Sequence, residues 1–133
     1  MFDTATKPAP LVEAKGLSRN FPSRQGILGR SRDVWAVRDV SLTLAPGETV
    51  GVVGESGCGK STLGRMMMGL DRPTEGSVSF DGRDLSGLSA AEKRRLSRRM
   101  QMVSQDPFGS LDPRRTIGAQ ITDGLRIHRL VPS

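Results

Sequence analysis

The stretch Gly54-Glu55-Ser56-Gly57-Cys58-Gly59-Lys60-Ser61-Thr62 constrains this chain more than any other. It fits the pattern G-x-x-x-x-G-K-[ST], with a different element expected on each side. Glu48 to Val53 ahead of it is a short valine-rich run of the kind a buried strand shows, and Ser61 to Leu70 after it reads as a helix despite Gly64. A polyphosphate needs many donors at close range, which β-carbons obstruct. Gly54, Gly57 and Gly59 let the chain curl so that successive amides face inward as an anion nest. A helix starting near Lys60 adds its positive end, Lys60 a full charge for the β- and γ-phosphates, and Ser61 a hydroxyl for Mg²⁺. With glycine at about 7% of residues, chance produces the pattern about once in 200 chains of this length. Nucleotide binding is therefore expected over a glycine-rich turn that merely caps a helix. Cys58 fills an unconstrained position and reads as a small residue in a tight loop, although a thiol at a helix start gains thiolate character.

Composition removes several other classes. The chain has 133 residues, 35% of them hydrophobic, with 16 glycines and 8 prolines, which places it among globular chains and against fibrous or wholly disordered ones. Its single cysteine excludes an internal disulfide framework and a four-cysteine zinc site, and its single histidine argues against a multi-histidine metal centre. No apolar run approaches the roughly 18 residues of a spanning helix. The start MFDTATKPAP has neither a charged n-region nor an apolar h-region, so a reducing cytoplasmic compartment is the default expectation. The net charge is +6, with a basic run at Lys93, Arg94, Arg95, Arg98 and Arg99 and a scatter at Arg19, Arg24, Arg30 and Arg32. No aromatic interleaves with the basic run and tyrosine is absent, so a solvated helix face is favoured over a nucleic-acid patch, and no specific nucleic-acid partner is expected.

Along the chain, residues 1–10 read as a flexible tail and Leu11 to Ser18 as a weakly alternating strand. Phe21 to Asp33 is a long loop rich in Arg, Ser and Gly. Trp35 to Leu44 suggests a strand with a register slip near Asp39, and Pro46-Gly47 a turn. Asp71-Arg72-Pro73 stops the first helix, Ser77 to Phe80 is a strand, and Asp81-Gly82 turns it. Ser89 and Glu92 stand as in a capping box ahead of a helix to about Arg99. Met100 to Ser104 reads as another strand, and Thr116 to Leu130 as an amphipathic helix with apolar positions at Ile117, Ile121 and Leu125.

The flanks of the cradle carry a family likeness. Ala36-Val37-Arg38-Asp39-Val40-Ser41-Leu42 and Pro46-Gly47-Glu48-Thr49 precede it, and Met66 to Gly69 and Pro73-Thr74-Glu75-Gly76 follow it. Gln101-Met102-Val103-Ser104-Gln105-Asp106-Pro107-Phe108 and Ser110-Leu111-Asp112-Pro113-Arg114 come next. From about residue 11 to 128 the chain resembles the ATP-binding subunit of ABC transporters. At 105–114 it most resembles the importer subfamily for dipeptides, oligopeptides, nickel and glutathione. The resemblance implies a P-loop NTPase α/β core, in part, with an antiparallel β-subdomain. It makes 54–62 the Walker A loop for ATP and Gln105 the Q-loop glutamine that reaches Mg²⁺ and the attacking water. It places segment 105–114 against a permease subunit and a second ATP-binding subunit, the same or different, across the nucleotide. Such a protein sits peripherally on the cytoplasmic face of the membrane. Phe21 matches the aromatic that stacks on adenine, with Trp35 as the competing choice.

The family pattern also breaks off. A signature run and an apolar-Asp-Glu strand are expected after Gln105 and do not occur in these residues. Leu85-Ser86-Gly87-Leu88-Ser89 precedes Gln105 and reads as a turn, and His128 reads as a helix residue rather than the switch histidine. The expectation is the N-terminal portion of a longer subunit, unable to complete hydrolysis alone. The apolar faces of 48–53 and 61–70 are expected to stay exposed, with marginal stability or aggregation. Two other readings stand beside this one: a non-hydrolysing nucleotide-binding module, which would bind ATP without turnover, and a nucleic-acid-binding protein, whose binding would be steeply salt-dependent and indifferent to Lys60→Ala.

Overall fold

The computed structural model describes residues 9–23, 32–106 and 109–130. The expected tail therefore lies outside the described residues as far as position 8, as do residues 24–31 of the basic loop and Pro107-Phe108. The chain divides into two units, Met1–Gly87 and Leu88–Ser133. Among the described residues no helix is long and apolar enough to cross a membrane.

The first unit is an antiparallel sheet with one helix packed on it. Strands β1 (Val12–Ser23), β2 (Arg32–Leu44), β3 (Glu75–Phe80) and β4 (Arg83–Asp84) lie in the order β2-β1-β3-β4. Val12 and Ala14 point inward from β1, while Glu13 and Lys15 alternate with them and pair at 3.0 Å. The slip expected near Asp39 is present. Asp39 has φ +47°, and the pairing of β1 with β2 shifts between Ala14 and Leu17 and twice more by Asn20. Serine hydroxyls catch amides at the irregularities: Ser18 Oγ accepts from the Asp39 amide at 3.0 Å and Ser41 Oγ from the Gly16 amide at 2.9 Å. Ser18 is thus buried with a partner. Asp81 and Gly82, both at positive φ, make the two-residue turn between β3 and β4.

Helix α1 (Lys60–Met67) buries Leu63 and Met66 on β1 and β2, beside a core of Leu17, Val37, Val78, Phe80 and Leu85. This corrects the expectation that the helix face stays exposed: the antiparallel sheet already supplies its cover. The helix ends at Gly69 before the Asp71-Arg72-Pro73 stop. Gly69, at φ +67°, donates to the Met66 carbonyl and Leu70 to the Arg65 carbonyl, the two bonds of a Schellman motif. Arg65 then grips Asp71 with two hydrogen bonds, at 2.7 and 3.0 Å.

Two expected strands do not form. Residues 48–53 and 100–104 carry no strand pairing and are exposed almost throughout, Val53 at 93% and Val103 at 92%. A strand of a parallel sheet holds its backbone only through neighbours on both sides, and among the described residues neither stretch has one. The exposure expected for 48–53 is therefore observed.

In the second unit, α2 (Ala90–Leu96) starts in the capping box read from the sequence. The Glu92 amide donates to Ser89 Oγ, and the Ser89 amide donates to Glu92 Oε2 at 2.9 Å. The turn continues to Met100, whose amide donates to the Leu96 carbonyl. Arg94, Arg95, Arg98 and Arg99 are exposed, as a solvated face requires. Helix α3 (Ile117–Ile127) is capped by Thr116 and leaves Ile117, Ile121 and Leu125 exposed.

The Asp71 carboxyl lies below its ordinary range because the Arg65 hydrogen bonds favour its ionised form. A depressed carboxylate contributes stability above its unfolded pKa of about 3.9 and loses it as pH falls through the folded value. Asp71→Asn should therefore lower the thermal midpoint at neutral pH by a small amount, with the difference from wild type closing below about pH 3.9. Thermal unfolding across that range checks it, and a difference that persists in acid would contradict it.

Candidate functional site

The cradle is built where β2 and the start of α1 meet. Register pairs Arg19 with Val37 and Asn20 with Trp35, which leaves Ala36 as the extra residue of a β-bulge. The carbonyl oxygen of Ala36 lies so close to Gly59 that a β-carbon at 59 would overlap it, and Val37 Cγ2 would sit 3.4 Å from that carbon. Gly59 also has φ +98° and caps α1 without a side-chain hydrogen bond. Only glycine meets both demands. At the other end of the loop, a β-carbon at Gly54 would stand 2.7 Å from Cys58 Sγ, so Cys58 folds inward across the curl.

Lys60 closes the loop. Its ammonium donates to the carbonyl oxygens of Gly54 at 2.8 Å and Glu55 at 2.5 Å and lies 3.5 Å from Cys58 Sγ. The Cys58 amide turns back to the Glu55 carbonyl at 3.4 Å. Among the described residues no protein group accepts from the amides of Ser56, Gly57, Gly59, Lys60, Ser61 and Thr62. The first turn of α1 contains no acidic residue. Six unpartnered amides, a helix start and an ammonium lie within one short loop, and this donor set suits a phosphate chain. Phosphate oxygens are stronger acceptors for the ammonium than the two neutral carbonyls that now hold it.

The structure thus brings together Gly54, Glu55, Ser56, Gly57, Cys58, Gly59, Lys60, Ser61 and Thr62, with Gly59 and Lys60 half-buried and Ser61 exposed beside them. Among the described residues no cluster of three His, Cys, Asp or Glu side chains is arranged for a metal. The two residues expected at Mg²⁺ fall in different units, Ser61 in the first and Gln105 in the second, and both are exposed.

The two aromatic candidates separate by face. Directly opposed residues of an antiparallel pair share a face. Phe21 opposes Val34 and Trp35 opposes Asn20, so the two rings point to opposite sides of the hairpin. Arg19 lies over the Phe21 ring and opposes Val37, whose Cγ2 approaches Gly59 ahead of α1. Phe21 is 42% exposed under the Arg19 guanidinium, and Trp35 is half-buried under that of Arg38.

In the second unit Gln120 fastens the stretch before α3. Its Oε1 accepts from the Asp112 amide at 2.8 Å, and its Nε2 donates to the Asp112 and Arg115 carbonyls. Arg115 pairs with Asp123 through two bonds at 2.6 and 3.0 Å, which hold the Asp123 carboxyl below its ordinary range. Asp112 is depressed mainly by Arg114. Sequence reading missed Gln120, Asp123 and the Ala36 carbonyl. The first two join through a turn whose path spacing alone does not give, and the third is backbone.

Comparison with known proteins gives the family and the fold. The ABC transporter family model matches residues 37–131. The chain is 44% identical over 129 residues to the glutathione import ATP-binding protein GsiA of Salmonella paratyphi A, covering 96% of this chain and 21% of that protein. It is 46% identical over 129 residues to the oligopeptide transport ATP-binding protein AppF of Bacillus subtilis, covering 96% and 39%. Among solved structures it is similar to the ATP-binding cassette MJ0796, a dimer in a post-hydrolysis state bound to ADP and Pi. The TM-score is 0.52 at 31% identity, over 62% of this chain and 35% of that one. The chain spans between a fifth and two-fifths of the length of these curated relatives. Its fold is a partial P-loop NTPase α/β fold in which the antiparallel sheet and its helix are formed.

Gly57 and Gly59 give a direct test of the close approach. Both have positive φ, but a β-carbon at Gly57 meets nothing within 4 Å. Gly57→Ala should cost about 1 kcal/mol and Gly59→Ala about 3 kcal/mol or more, read by chemical denaturation. Equal costs would mean that β2 does not press on the loop.

Proposed function

The chain belongs to the ABC transporter family, and on that premise we propose that it is the Walker A-bearing part of an importer's ATP-binding subunit. ATP binding and hydrolysis by that subunit drive uptake of peptides or a related solute such as glutathione. The observation that carries the reading is the set of unpartnered amides of Ser56, Gly57, Gly59, Lys60, Ser61 and Thr62 in the loop that the Lys60 ammonium closes.

In this reading those amides and Lys60 hold the β- and γ-phosphates of ATP. The Ser61 hydroxyl and the Gln105 amide oxygen would hold Mg²⁺, which would supply neutralisation of phosphate charge. Gln105 also orients the attacking water. Phe21 stacks on adenine in preference to Trp35, because its ring lies under Arg19, which opposes Val37 beside Gly59 of the cradle. Segment 105–114, held at Asp112 by Gln120, faces a permease subunit. A second ATP-binding subunit, identical or not, completes the nucleotide site, and the assembly sits peripherally on the cytoplasmic face of the membrane.

Lys60→Ala should weaken ATP binding about 10- to 100-fold, the loss of one charge-assisted contact to phosphate. Far-ultraviolet circular dichroism should stay unchanged, and titration calorimetry with ATP and Mg²⁺ reads the affinity. Wild-type affinity in that variant would discard the cradle assignment. In the assembled transporter, Gln105→Ala should reduce solute-stimulated phosphate release more than it reduces ATP binding. Binding without turnover in the wild-type assembly would favour a non-hydrolysing module.

A further inference from the structure

Arg19 touches both the Phe21 ring and the connection that follows α1. Its guanidinium carbon lies 4.8 Å from the centroid of the Phe21 ring, and its Nη1 donates to the Arg72 carbonyl at 2.6 Å. Its Nε is buried and has no hydrogen-bond partner. A guanidinium with free choice of rotamer turns Nε toward water or an acceptor. Here the ring on one side and the Arg72 carbonyl on the other fix the plane, and Nε goes without.

Arg72 lies in the connection from α1 to β3, three residues before the strand begins. That connection is tied to the last turn of α1 by the Arg65–Asp71 pair. The same helix begins at Lys60, on the cradle. One side chain therefore joins the Phe21 ring to the element that carries the phosphate donors.

We propose that Arg19 is a positioning residue for the nucleotide base: it stacks on one face of Phe21 and presents the other face to the purine. This rests on the reading in which Phe21 is the adenine-stacking ring. The contact fixes the ring's rotamer before the base arrives, so that stacking costs less side-chain entropy. Arg38 over Trp35, at 5.3 Å on the opposite face, is the same kind of contact away from the site and serves as an internal control.

The test measures, on the full protein, the affinity for ATP against that for inorganic tripolyphosphate, which has the phosphates and no base. Phe21→Ala should lower the ratio of ATP to tripolyphosphate affinity about tenfold. Arg19→Ala should lower it about three- to fivefold with tripolyphosphate affinity unchanged, and Arg19→Lys should recover part of the loss. Arg38→Ala should leave the ratio at the wild-type value. If Phe21→Ala lowers the ratio and Arg19→Ala does not, the positioning role falls while the stacking reading stands. If Phe21→Ala leaves the ratio untouched, the stacking reading itself falls and takes the Arg19 role with it. Equal loss of both ligands in Arg19→Ala would show a general folding role and overturn the proposal.

Discussion

The contact between Gly59 and the Ala36 carbonyl is the constraint on which the site depends. The β-bulge in β2 pushes that carbonyl toward the loop, and only a residue without a β-carbon lets the loop come up to it. Helix α1 begins one residue later, so its direction and its distance from the sheet are set at this point. Held off by the thickness of a methyl group, α1 would not bring Leu63 and Met66 as close to the sheet. Phosphate cradle and hydrophobic core thus share one point of close approach.

The two ends of α1 are treated differently, and the difference has a chemical meaning. Its C-terminus has both Schellman bonds and a two-pronged Arg65–Asp71 pair. Its N-terminus has no side-chain cap, whereas Ser89 caps α2 and Thr116 caps α3. A missing cap costs about 1 kcal/mol. Burial of Leu63 and Met66, at about 1.5–3 kcal/mol each, outweighs that. The helix is anchored by its side and its far end, which leaves the near-end amides available to an anion.

The antiparallel sheet forms because each strand finds its partner in the same unit, β4 across a two-residue turn from β3 and β3 beside β1 after the α1 connection. Residues 48–53 and 100–104 have the composition of buried strands and no pairing among the described residues. Valine content says that a segment suits a buried ladder. It does not say that the neighbouring rungs lie within reach. The capping box at Ser89, the turn at Asp81-Gly82, the slip near Asp39 and the apolar spacing of α3 were readable because each depends on a few consecutive residues.

The residue order alone therefore determined the local grammar: a glycine-lysine loop running into a helix, the caps and turns, and a family likeness carried by short motifs. What only the tertiary structure decided is which groups meet. Alternation along β1 and β2 cannot sort Phe21 from Trp35, because each irregularity in the pairing changes which side the next residue faces. The Ala36 carbonyl is absent from any reading of side chains, and Arg19 finds the Arg72 carbonyl only after a 53-residue excursion of the chain has returned β3 to the side of β1. Local conformation follows from the few residues that share a turn. Contacts between distant residues follow from register and burial, which exist only once the sheet has formed.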